Sequence, residues 1–123
     1  ESLEASDKAI TINPDDAMAW NNKGTVLNIL HRHDEAIEAC DKAIHLAPDY
    51  ADPWNNKGNA LTHLEKYEEA LVAFNKAIQI DPQYADAWNN KGFALNFLGR
   101  HDEALRAFDM AIEIESEYKD SEK

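Results

Sequence analysis

A single cysteine in 123 residues rules out an internal disulfide, and no run of ~18 apolar residues is present to cross a membrane as a helix. The amino terminus lacks the charged and apolar regions of a signal peptide, so the cytoplasm is the expected compartment. Because the chain opens on Glu1 rather than Met, an excerpt of a longer protein is expected. Basic residues are scarce: twelve Lys and Arg face twenty-four Asp and Glu, a net charge of -12. A field of that sign repels phosphate backbones and anionic lipid surfaces, which sets aside nucleic acid and membranes as partners. Glycine and proline number only four each, and three of each recur at one fixed spacing.

That spacing is 34 residues, and over it the sequence matches itself without a gap. Pro14 to Ala47 aligns with Pro48 to Asp81 and with Pro82 to Glu115. Each copy carries the same string: Trp20-Asn21-Asn22-Lys23-Gly24, Trp54-Asn55-Asn56-Lys57-Gly58, Trp88-Asn89-Asn90-Lys91-Gly92. The chain therefore divides into the second helix of a truncated repeat (1–13), three full repeats (14–47, 48–81, 82–115) and a stub (116–123). Helix pairs are expected near 17–30 and 34–47, 51–64 and 68–81, 85–98 and 102–115, with Pro14, Pro48 and Pro82 closing each pair because proline cannot continue a helix. The stub starts like another repeat, but Glu122 stands where a Trp is due, so a frayed helical end is expected. A chain of this kind has no single core; its stability comes from each repeat-to-repeat interface.

In the second copy the order Trp54, Gly58, Leu61, Ala70, Phe74, Ala77, Pro82 resembles the tetratricopeptide repeat. The first copy departs by carrying Cys40 at the Phe position, and all copies carry Lys23, Lys57 or Lys91 where that family usually has leucine. The resemblance covers about four-fifths of the chain. It implies an all-α fold, a right-handed superhelical solenoid of antiparallel helix pairs, with the first helix of each pair lining the inside.

At ~100° per residue, Ala17, Gly24 and Leu27 fall within about 60° of Trp20 and form the stripe that buries against neighbouring helices. A glycine in mid-helix costs about 0.5–1 kcal/mol relative to alanine, so close approach of the paired helix is the expected reason for Gly24, Gly58 and Gly92. Cys40, in the place of Phe74 and Phe108, is expected in the core rather than as a reactive thiol.

The other face carries Met18, Asn21, Asn22, Thr25, Asn28 and Ile29 in the first copy, and Asp52, Asn55, Asn56, Asn59, Thr62 and His63 in the second. The third has Asp86, Asn89, Asn90, Phe93, Asn96 and Phe97. Asparagine is a mediocre helix former, so its repetition here asks for a reason. A primary amide can accept from a peptide N–H while donating to its C=O, whatever the side chain. Helices stacked at about 8–10 Å match about three residues of extended chain at ~3.3 Å each. A peptide-binding groove of Asn21, Asn22, Thr25, Asn55, Asn56, Asn59, Asn89, Asn90, Phe93, Asn96 and Phe97 is the resulting expectation, with Ile29, Phe93 and Phe97 as apolar anchors. The second asparagine of each pair is similar to the ladder lining the repeat superhelix of the glycosyltransferase that puts N-acetylglucosamine on intracellular proteins. The carboxylate clamp of chaperone-associated repeats fits poorly, since Asn21, Asp86 and Asn90 stand where it requires positive charge. With Asp52 and Asp86 at the groove's edge, a neutral or basic partner segment is expected, not an acidic tail.

The remaining signals read as structure. His31-x-His33 is expected to pack between helices rather than bind metal, and His63 to face the groove alone. Asp34-Glu35, Glu68-Glu69 and Asp102-Glu103 open second helices, where negative charge meets the positive end of the helix dipole. Lys23, Lys57 and Lys91 lie at the edge of the buried stripe, their ammonium groups expected to reach nearby acids. No nucleophile stands beside a base, so no enzyme activity, cofactor or metal is expected. The rival to a peptide-holding scaffold is a self-assembling element, a homo-oligomer formed by end stacking through Leu105, Phe108 and Ile112 of the last helix.

Overall fold

The computed structural model describes residues 2–121. Within them lie seven α-helices and no strand: α1 (Leu3–Ile12), α2 (Ala17–Ile29), α3 (His33–Leu46), α4 (Ala51–His63), α5 (Tyr67–Ile80), α6 (Ala85–Phe97) and α7 (His101–Ser121).

Two kinds of turn alternate along the chain. Inside each pair, the first helix ends on a left-handed residue, His31, Glu65 or Gly99, at φ 60°, 63° and 79°. The next amide, of Arg32, Lys66 or Arg100, donates back to the carbonyl of Leu27, Leu61 or Leu95 at 2.8–2.9 Å, satisfying an end carbonyl that the helix leaves open. Between pairs, Asn13, Ala47 and Asp81 take extended conformations (ψ 86°, 82° and 92°) because each precedes a proline. At the fourth such place stands Ser116, and α7 does not stop there: it runs for 21 residues where α3 and α5 run for 14. Through Ser121 the expected frayed stub is thus the unbroken end of α7, whereas Glu1, Glu122 and Lys123 lie outside the described residues.

Each first helix packs on its pair partner across the glycine. A Cβ added at Gly92 would lie 2.6 Å from the Phe108 ring and one at Gly24 2.7 Å from Cys40 Sγ, which is the close approach that the glycines imply. Cys40 is fully buried, and desolvation, reinforced by the charge of Asp41, pushes its thiol up to about 12. The core is layered. One cluster holds Leu27, Ala36, Ala39 and Ala60; the other holds Leu61, Leu71, Phe74 and Leu95; Ile37 packs against both.

The path of the stack follows from which helices touch. α2 packs on α4 and α4 on α6, while among the described residues the backbones of α3 and α5 stand apart, as do those of α5 and α7. First helices are therefore crowded together and second helices splayed, so the solenoid curves with α2, α4 and α6 on its inside.

Candidate functional site

The asparagine pairs occupy this inner layer, but the two members of a pair do different things. Asn21 and Asn55 are buried, and their amide nitrogens point to the hydroxyls of Tyr50 and Tyr84 at 3.3 and 3.4 Å. Their carbonyls accept from the second asparagine of the following repeat: Asn56 Nδ2 to Asn21 Oδ1 at 2.8 Å, and Asn90 Nδ2 to Asn55 Oδ1 at 3.0 Å. Asn56 Nδ2 also donates to Thr25 Oγ1 at 3.0 Å, and Asn28 Nδ2 to the Asn56 backbone carbonyl at 3.0 Å. Buried polar groups must be paired, and these pair across the repeat boundary.

This changes the reading of the groove in two respects. Asn21 and Asn55 face inter-repeat packing rather than an open channel. Asn56 has both amide hydrogens engaged within the chain, so it can accept from a peptide N–H but not donate to its C=O. Asn22 and Asn90 are half-buried, Asn59 is half-buried, and Asn89 is exposed. Thr25 is exposed and donates to the Asn21 backbone carbonyl at 3.2 Å. Asn96 uses its carbonyl on His101 Nδ1 at 3.0 Å. Exposed Phe97 stacks on Tyr67 at 4.7 Å, and Phe93 meets the edge of Phe108 at 5.2 Å. Sequence reasoning missed the stitching, although its signal was present: a pair, not a single asparagine, recurs in every copy.

The electrostatics of the inner layer are acidic. Asp52 sits beside the hydroxyls of both Tyr50 and Tyr84; burial first, and then Asp52, raises both phenols above their usual range and keeps them neutral. His63 does not stand alone. It stacks on His33 at 4.6 Å, and His31 meets His33 edge-on at 5.7 Å. Burial, then the neighbouring His63 and His31 imidazoles, lower the His33 pKa. This stack is the counterpart of Tyr67 on Phe97 one repeat later.

Of the three edge lysines, two meet acids as expected. Lys23 Nζ lies 2.9 Å from Asp7, and Lys57 Nζ 2.7 Å from Asp41. All three lie over their tryptophans, at 5.6, 5.8 and 5.1 Å from the ring centroids. Lys91 lacks the carboxylate because the third member of the Asp7, Asp41 series is Asn75. Glu35 and Glu103, from the acidic helix starts, are each gripped by both ends of an arginine, Arg32 and Arg100; those hydrogen bonds hold their carboxyls below the usual range. Among the described residues, no three His, Cys, Asp or Glu are grouped to hold a metal ion, and no helix is long and apolar enough to cross a membrane.

Comparison with known proteins agrees with this architecture. The family model of the tetratricopeptide repeat matches three times, at residues 17–50, 51–84 and 85–118, and that of the protein prenyltransferase alpha subunit repeat matches residues 1–30. No curated protein matches the sequence. A crystal structure of MamA is similar at 27% identity with a TM-score of 0.85, over 96% of this chain and 69% of that one. MamA from Desulfovibrio magneticus RS-1, from its residue 41 to the end, is similar at 25% identity and 0.82, over 94% of this chain and 65% of its own. The chain thus spans about two thirds of the MamA chains it matches. The second TPR of Spaghetti (RPAP3), bound to the HSP90 peptide SRMEEVD, is similar at 28% identity and 0.77, over 80% of this chain and 91% of that one. With three tandem matches across residues 17–118 on a helical solenoid, the chain belongs to the tetratricopeptide repeat family and is a protein-interaction module.

Proposed function

We propose that the inner face of α2, α4 and α6 holds an extended segment of a partner protein, and that the chain performs no chemistry of its own. The observation that carries this reading is an exposed apolar set on the inner face, Met18 (61%), Ile29 (70%), Phe93 (49%) and Phe97 (63%), beside Asn22, Asn56 and Asn90, whose side-chain carbonyls accept no hydrogen bond among the described residues. The RPAP3 unit, similar over most of its length, holds a peptide. That peptide is acidic, whereas the inner positions here carry Asp52 and Asp86 and no Lys or Arg, so a neutral or basic segment is the better occupant. The one thiol is buried and hard to ionise, which supports a non-catalytic role.

Because Asn56 and Asn90 also stitch the repeats, alanine there disturbs fold and groove together; Phe97 and Ile29 give the cleaner test. Displayed twelve-residue peptides are panned against the chain. Recovered binders are expected to carry no net negative charge and to lose about ten-fold in affinity with Phe97→Ala, the effect of about 1.4 kcal/mol of lost apolar contact. Unchanged affinity in both Phe97→Ala and Ile29→Ala, with unchanged thermal melting, refutes the groove.

A second reading, self-assembly, is favoured by α7. Leu105 is 61% exposed where its counterpart Leu71 is 6% exposed, because among the described residues no helix follows α7 to cover it. Sedimentation over a concentration series separates the two: a strict monomer at high concentration removes assembly.

A further inference from the structure

Each of the three repeats carries a cavity beside its Trp-bearing helix, the second reaching across to the preceding helix α3, and comparing the copies isolates the third. In the first repeat a cavity of about 250 Å³ is lined by Trp20, Lys23 and Lys42 together with Glu35 and Glu38. In the second, Lys57 is closed by Asp41, and Glu38 of α3 and Glu69 of α5 both line the cavity. The third, about 270 Å³, is lined by Trp88, Lys91, Leu95, Glu103, Arg106 and Met110. Two positions that bear carboxylates in the first repeat, Asp7 and Glu38, are here Asn75 and Arg106. The one acid left, Glu103, has both oxygens committed to Arg100 at 3.0 and 2.8 Å.

We propose that this cavity receives a carboxylate from an acidic side chain of a partner protein, held by Lys91 and Arg106 against the Trp88 and Met110 walls. The chain itself shows what this lysine takes, since its two equivalents close on Asp7 and Asp41. Lys91 is half-buried and forms no ion pair of its own among the described residues; burial lowers its pKa, the nearby Glu103 opposes this only in part and Arg100 adds to it, and an incoming carboxylate reverses the shift. The site is a net positive spot on a chain of net charge -12, so it selects acidic groups that the rest of the surface repels. It lies apart from the inner face and stands or falls independently of the groove.

The test is an amide and indole NMR titration of the whole chain with acetyl-Ala-Glu-Ala-amide, with acetyl-Ala-Gln-Ala-amide, and with sodium acetate against sodium chloride at equal ionic strength. The glutamate peptide is expected to shift the Trp88 indole and Gly92 amide saturably, binding about ten-fold or more tighter than the glutamine peptide, as one charge-assisted hydrogen bond implies. The Trp20 and Trp54 indoles stay in place. Asn75→Asp, which copies the closed sister repeats, is expected to keep the fold and abolish the shift. No saturable shift at Trp88, equal shifts at all three tryptophans, or full binding by Asn75→Asp overturns the site. Acetate binding as tightly as the glutamate peptide overturns the protein partner and reassigns the site to small carboxylates.

Discussion

Gly58→Ala puts two opposing effects at one atom. Alanine is the better helix former in mid-helix by about 0.5–1 kcal/mol, which on its own would stabilise the chain. The new Cβ, however, would meet Phe74 Cδ1 and Cζ at 2.7 Å and approach Cε1 more closely still. Phe74 is fully buried among Leu61, Leu71 and Leu95, so its ring cannot swing away without displacing the interface between α4, α5 and α6. Overpacking costs about 1–3 kcal/mol, and three ring atoms under 3 Å place this case at about 2–3 kcal/mol, leaving a net loss of about 1–2.5 kcal/mol after the propensity gain. Urea unfolding followed by helical circular dichroism reads this as a fall in midpoint. Two controls make the reasoning refutable. Gly24→Ala meets one atom under 3 Å, Cys40 Sγ at 2.7 Å, with the Ala36 carbonyl at 3.4 Å, and is expected to cost less than the three ring atoms opposite Gly58. In a Phe74→Leu background, Gly58→Ala is expected to be neutral or stabilising, since the ring it opposes is gone. A Gly58→Ala chain as stable as the parent, or a penalty that persists without the ring, refutes the account.

Asn55→Ala removes the acceptor of the Asn90 amide and one of the partners of the Tyr84 hydroxyl and is expected to cost about 1–3 kcal/mol in the same assay, whereas exposed Asn89→Ala stays within about 0.5 kcal/mol. Glu65→Gly relieves a left-handed backbone at φ 63° and is expected to raise stability by about 0.5–1 kcal/mol, with Gly99→Ala lowering it by a similar amount. His33 has a folded pKa below its ordinary 6.5, so the unfolded chain binds the proton more readily; its contribution is full above about pH 6.5 and is lost as pH falls through the folded value. His33→Tyr with His63→Phe, which copies Tyr67 and Phe97, is expected to flatten the fall in melting temperature between about pH 7.5 and 5.5; parallel profiles would reject the stack as its source. Cys40, with its thiol pushed up to about 12, is expected to resist Ellman's reagent at pH 8 in the folded chain and to react at once in guanidinium.

The fold was legible because a period of 34 residues is a tertiary statement: a residue type that recurs in three copies answers to the same environment in each. Trp, Gly and Pro marked the buried stripe, the close approach and the turns, and the helix ends followed. The missing Trp at Glu122 suggests a frayed end, whereas Ser116, in the place of a closing proline, lets α7 run on to Ser121. The inner face was less legible, for a physical reason. A helical wheel divides core from solvent for one helix but does not know that the adjacent first helix stands against one flank, so Asn21 and Asn55 looked open and are buried. The left-handed turn was signalled in one copy only, by Gly99, and hidden in the others under His31 and Glu65. Lys91 without an acid was readable from Asn75 set against Asp7 and Asp41, but only once the structure had shown that those positions touch.

The paired asparagines have a further consequence. Within one repeat the first member is a socket for the following unit and the second a plug into the preceding one, so the joint is complementary under simple translation. A gene segment encoding one such unit could be duplicated in place and the new copy would find matching surfaces on both sides. Growth or loss of whole units therefore leaves the joints intact, and length becomes a quantity that selection can adjust without inventing a new interface.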